Sequence, residues 1–146
     1  MSGVVAQGTY KTAVVAGGFV VTAGVTPRTD GQLAWRGKVG ADLSVADART
    51  ATALATTNAI SAAEEAIPVG QRLERCLHLV VYINATDDFD EHARVADAAS
   101  DVIVGKLGFE GMGSRAAIGV ASLPGGAPVE IQFTGVVSTA AAHELR

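Results

Sequence analysis

Ser114-Arg115-Ala116-Ala117-Ile118-Gly119-Val120-Ala121-Ser122-Leu123-Pro124, followed after Gly125-Gly126-Ala127-Pro128 by Val129-Glu130-Ile131, is the stretch on which the reading of this chain turns. Ala116–Ala121 is an apolar run of strand length, and Val129–Val137 is a second. Between them Leu123-Pro124-Gly125-Gly126 carries the proline and glycines of a reversal. An arginine opens the first strand, after the flexible Gly111-Met112-Gly113-Ser114, and an acid sits inside the second. Side chains alternate along a strand, so Glu130 faces away from Val129 and Ile131, toward solvent or a polar cleft. An arginine placed like Arg115 can offer its planar fork to a carboxylate in bidentate geometry, which a lysine cannot do. Each charge also has an ordinary reading, as a surface arginine at a strand end and a solvated edge acid.

Toward the N-terminus, Thr12–Ala16 and Phe19–Ala23 are β-prone runs separated by Gly17-Gly18, a strong hairpin signal. Tyr10 precedes the hairpin, and Gly24 ends its second strand. Pro27-Arg28-Thr29-Asp30-Gly31 reads as an exposed turn, and Trp35–Asp42 is broken by glycines. Ser44 begins a helix, with Asp47 placed as an imperfect capping box. Ala48, Ala51, Leu54, Ala55, Ala59, Ala62 and Ala66 keep one face of it apolar until Pro68 and Gly70 stop it. Leu73–Ile83 turns β-like, with Val80-Val81-Tyr82-Ile83 central in a sheet. Asp88 is the expected N-cap of a second helix to about Leu107, striped by Phe89, Val95, Ala99, Val102, Ile103 and Leu107 and closed by Gly108. The tail Ala140–Arg146 reads as frayed.

The order β-β-α-β-α-β-β predicts an α+β fold, one mixed sheet with both long helices on one face. The other face then needs cover, which subunit association would provide. No linker or repeat interrupts the 146 residues, so one domain over 1–146 is expected, with a core of about 4–137 and a tail over 138–146. Hydrophobic residues make up 49% of the chain but aromatics only 5%, so the core is built of small side chains that pack in thin layers.

Composition also closes off several functions. The net charge is −4 and the 11 Lys and Arg residues form no run, so no nucleic-acid partner is expected. The N-terminus lacks the pattern of a secretory signal, and no apolar stretch approaches the ~20 residues that span a bilayer. A single cysteine, Cys76, precludes an internal disulfide and agrees with a reducing compartment, so the cytoplasm is the expected location. His78, His92 and His143 lack the spacing of a metal set. Cys76 and His78 lie close together on a candidate strand and are read as facing opposite ways, so no metal site is expected. Gly108, Gly111 and Gly113 need only turn chemistry and form no phosphate loop.

Together, Gly8-Thr9-Tyr10, Val21-Thr22-Ala23-Gly24-Val25-Thr26-Pro27, and Arg115 through Leu123-Pro124 to Val129-Glu130-Ile131 resemble the YjgF/Rid family, also labelled endoribonuclease L-PSP. The resemblance runs to about Val137. It implies a chorismate-mutase-like subunit and a homotrimer, whose sheets form a central barrel with clefts between neighbouring subunits. Arg115 matches the arginine that grips the substrate carboxylate, Tyr10 the tyrosine lining the cleft, and Glu130 the acid that orients water. Gly24 falls at the family's Ser-Gly turn beside the ligand, with Ala23 where a serine is frequent, and a backbone carbonyl near Ala117 would help hold the water. Asp97 occupies the place of an often-seen asparagine, and the long Pro27–Asp42 connection suggests a divergent branch. The implied activity is hydrolysis of 2-imino acids to 2-keto acids and ammonia, without a cofactor. The alternatives are a non-catalytic protein that binds a small carboxylate and, with less support from the charge, an endoribonuclease.

Overall fold

The computed structural model describes residues 3–139, so the tail Ala140–Arg146 lies outside the described residues. The β-branched runs around Gly17-Gly18 form the hairpin β1 (Ala13–Ala16) and β2 (Phe19–Thr22), with Ala16 opposite Phe19. Both glycines have positive φ, 59° and 83°, as a two-residue reversal between twisted strands requires. The turn expected at Pro27–Gly31 is there, and it closes a second, minimal hairpin, β3 (Arg28–Thr29) and β4 (Gln32–Leu33). Strands of two residues carry no periodicity, so sequence reading cannot find them.

Helix α1 (Val45–Ala66) begins where Ser44 Oγ accepts the Asp47 N–H at 3.1 Å, the serine half of the expected box. Its buried face includes Ala48, Ala51, Ala55, Ala59 and Ala63, small enough to bring the helix close to the sheet. Thr52 and Thr56 are fully buried in the same face, and their hydroxyls donate to the carbonyls of Ala48 and Thr52 at 2.7 Å. Leu54, expected in that stripe, is only half-buried and lines a cavity described below.

Three further strands complete the main sheet: β5 (Gln71–Asn84), β6 (Ser114–Val120) and β7 (Val129–Thr139), in the order β1-β2-β7-β5-β6. β5 pairs antiparallel with β7 and parallel with β6, and helix α2 (His92–Leu107) makes the crossover a parallel pair needs. Val80–Ile83 is internal in the sheet, as expected. Helix α2 starts later than expected. Asp88 does not cap it, because its carboxylate accepts the Thr86 hydroxyl at 2.8 Å within a turn that Phe89 N–H closes onto the Thr86 carbonyl. Glu91 takes the N-cap position and makes no side-chain capping bond. At the other end Gly108 donates its N–H to Val104 O at 2.8 Å and terminates the helix as predicted.

Cys76 and His78 do face opposite ways, but not through simple alternation, which puts residues two apart on the same side. The β5–β7 register shifts between Cys76 and His78, and this bulge leaves Cys76 fully buried and Leu77 exposed.

Both helices cover one face of the sheet. Val20, Leu79, Val81, Ile83, Ile131 and Phe133 point into that layer and are fully buried. Their strand neighbours point the other way, onto a face where Val14, Phe19, Val21 and Ile118 are each more than 40% exposed. No helix among the described residues is long and apolar enough to cross a membrane.

Candidate functional site

Tyr10, Ala23 and Gly24 come together around a cavity of about 230 Å³. Ala23 extends the first hairpin by donating its N–H to Thr12 O at 2.9 Å. One residue later Val25 exchanges two backbone hydrogen bonds with Ile131, at 2.7 and 2.8 Å, so Gly24 is drawn against β7. Tyr10 stands at the mouth, half exposed, its hydroxyl accepting the Gln7 N–H at 2.9 Å. Leu54 and Asn58 of α1 and Arg28 of β3 close the far side. Arg28 is held by Thr26 Oγ1 and Gly31 O, and Asn58 ties α1 to the Arg28 carbonyl at 2.9 Å.

Glu130 does not line this cavity but packs directly behind it. A Cβ on Gly24 would collide with Glu130 Oε2, so the carboxylate sits over the bare Cα of that glycine. The acid is half-buried, and desolvation pushes its pKa above the ordinary carboxylate value. No hydrogen-bond donor reaches its carboxylate among the described residues, which leaves the oxygens available to a water or a ligand.

Arg115 lies elsewhere. It is the second residue of β6, the strand at the far edge of the sheet from β1, and pairs in register with Leu79. Its side chain points to the helix layer, where Nη1 donates to Asp97 Oδ1 at 2.8 Å and to Ser100 Oγ at 2.9 Å. Ala117, two residues on and in register with the buried Val81, faces the same way. Glu130 alternates with the buried Val129 and Ile131 and so faces the opposite side of the sheet. Four strand spacings of roughly 4.8 Å separate β1 from β6, about 19 Å in all. Arg115 on the β6 edge and Tyr10, which precedes β1, therefore belong to opposite ends of the sheet.

Asp97 is the acid that departs from the family pattern, and it faces the arginine rather than away from it. The pair is lopsided in exposure: the Arg115 side chain is 22% exposed and that of Asp97 59%. The pair engages only Nη1, so an incoming carboxylate can still reach the rest of the guanidinium. Ser100 has no sequence signature as a site residue; its part follows from the way α2 lies over β6. Among the described residues no group of three His, Cys, Asp or Glu side chains is placed to hold a metal ion.

Residues 2–127 match the family described as "YjgF/chorismate mutase-like, putative endoribonuclease". Protein TCP17 of Trypanosoma cruzi is 33% identical over 123 residues, spanning 84% of this chain and 77% of its own length. Among solved structures, Atu1372 of Agrobacterium tumefaciens, a protein of unknown function, superposes with a TM-score of 0.80 at 32% identity, over 89% of this chain and 82% of that one. A "putative endoribonuclease" from Shewanella oneidensis MR-1 superposes with a TM-score of 0.85 at 27% identity, over 91% of this chain and 88% of its own. Sequence and fold agree over nearly the same span, and the chain belongs to the YjgF/chorismate mutase-like family.

Proposed function

We propose that this protein is an enamine/imine deaminase, hydrolysing 2-imino acids to 2-keto acids and ammonia in clefts between the subunits of a homotrimer. The observation that carries the reading is the separation of Arg115 from Tyr10, Gly24 and Glu130 across one sheet. Arg115 and Ala117 lie at the β6 edge, and Tyr10, Gly24 and Glu130 belong to the β1-β2-β7 side. Each half lacks what the other has, and a neighbouring copy supplies it. The apolar face carrying Val14, Phe19, Val21 and Ile118 is the surface such an assembly would cover.

Little chemical assistance is needed. A protonated imine carbon is already electrophilic, so the protein has to hold the substrate and deliver water. Arg115 binds the carboxylate, with a charge-assisted hydrogen bond worth about 1.5–3 kcal/mol. Glu130 takes a proton from the attacking water as its oxygen bonds to carbon, giving a carbinolamine. Glu130 returns that proton to nitrogen and takes the hydroxyl proton as the carbon–nitrogen bond breaks, so ammonia leaves as the carbonyl forms and carries the last proton away as ammonium. Desolvation raises the Glu130 pKa toward the working pH, which suits a general base. Tyr10 is placed to hydrogen-bond the water or the nitrogen, and no metal or organic cofactor is called for.

The test is keto-acid release from a 2-imino acid generated in situ, with wild type and Arg115→Ala. The wild type should accelerate release and the variant should lose at least tenfold in kcat/KM, the loss of a single charge-assisted bond. Absence of acceleration across several side-chain sizes, with carboxylate binding retained, would make this a keto-acid-binding protein instead.

A further inference from the structure

The guanidinium of Arg115 has five N–H donors, and two of them are already committed. Both belong to Nη1, which donates to Asp97 Oδ1 at 2.8 Å and to Ser100 Oγ at 2.9 Å. Asp97 and Ser100 are three residues apart on α2, hence on one face of the helix, and grip the same nitrogen together. Nε–H and the two Nη2 hydrogens meet no acceptor among the described residues. The end-on edge of the fork, which needs a hydrogen from each terminal nitrogen, is thereby taken out of use. The side-on edge remains, where Nε–H and one Nη2–H run parallel at the spacing of two carboxylate oxygens.

We propose that Asp97 and Ser100 are positioning residues that clamp Nη1, so that Arg115 receives its ligand's carboxylate side-on, through Nε and Nη2. This rests on the reading of Arg115 as the carboxylate anchor. Two opposed effects follow at Asp97. As a hydrogen-bond acceptor it orients the fork and favours binding; as a charge it offsets the guanidinium and weakens attraction for any carboxylate. Ser100 carries only the first effect. The result is an arginine of fixed orientation and muted charge, suited to a ligand that must be released after each turnover.

Substitutions separate the two effects. Asp97→Asn keeps an acceptor oxygen and removes the charge, while Asp97→Ala removes both, so the two variants differ only in the clamp. The probe is 2-oxobutanoate, titrated into the intact protein and followed by calorimetry, with melting temperatures recorded for every variant. D97N should bind three- to tenfold more tightly than wild type, and D97A roughly tenfold more weakly than D97N. S100A should bind roughly fivefold more weakly than wild type, the loss of one oriented hydrogen bond. A simple strap between α2 and β6 would lower the melting temperature without moving affinities in opposite directions. Equal affinities for D97N and D97A, with S100A like wild type, would overturn the clamp. S100A carries the test alone if an Asp97 variant does not fold. Arg115→Ala keeps the two readings apart. If it binds as wild type does, the anchor itself is wrong; if it alone loses binding while the others do not move, only the clamp is wrong.

Discussion

Glu130 is half-buried, with its carboxylate over the bare Cα of Gly24. Its position between Val129 and Ile131 fixes the face it points to. Its seat on Gly24 depends on the Val25–Ile131 pairing, a contact between residues more than a hundred positions apart, which no local pattern encodes. The same holds for Arg115, whose place at a strand start is legible while its partner Ser100 is not. Burial raises the Glu130 pKa above its ordinary 4.5. Between 4.5 and the raised value the folded protein keeps a proton that the unfolded chain gives up, so stability falls as pH rises through that window. Glu130→Gln stays neutral throughout and escapes the loss. Thermal melts should show it at least as stable as wild type at pH 7, with the gap closing on acidification below 4.5. Its kcat should fall by roughly 10²–10⁴, and the acidic limb of the wild-type rate profile should vanish with it. A variant less stable than wild type at neutral pH would contradict this account of the acid's burial.

At the scale of elements, whatever has a period or a punctuation mark could be read in advance. The hairpin at Gly17-Gly18, the start of α1 at Ser44 and the stop of α2 at Gly108 are examples. What eluded the reading is where one local arrangement outcompetes another. Asp88 looks like a helix cap but is occupied by Thr86, and the bulge after Cys76 depends on how β5 meets β7. The Ser44 cap offers a clean measurement, since it lies far along α1 from the cavity-lining Leu54 and Asn58. Ser44→Ala removes the acceptor of the Asp47 N–H and should cost about 1 kcal/mol. For a chain of this size that lowers the melting temperature by roughly 4 °C, with kcat/KM unchanged. A loss of activity without a loss of stability would mean that α1 does more than support the sheet.

For the whole molecule, the sheet's two faces tell different stories. One is sealed by α1 and α2, and the other leaves Val14, Phe19, Val21 and Ile118 to solvent. The uncovered face was foreseeable from two helices and one sheet. Clefts between subunits were implied by the family resemblance, but the strand order that sets Arg115 at the β6 edge and Glu130 on the middle strand was not, because strand order is a property of the assembled fold. That splitting has a genetic consequence. In the closed ring proposed above, each cleft would draw its arginine from one copy and its acid from the next. Arg115→Ala and Glu130→Gln, each strongly impaired alone, would then damage different halves of every cleft. Co-refolded in equal amounts, they should yield mixed rings in which about one cleft in four inherits both intact halves. Two impaired parents would produce a more active hybrid, with roughly a quarter of the wild-type rate. A mixture as silent as its components would show that each copy works, or fails, by itself.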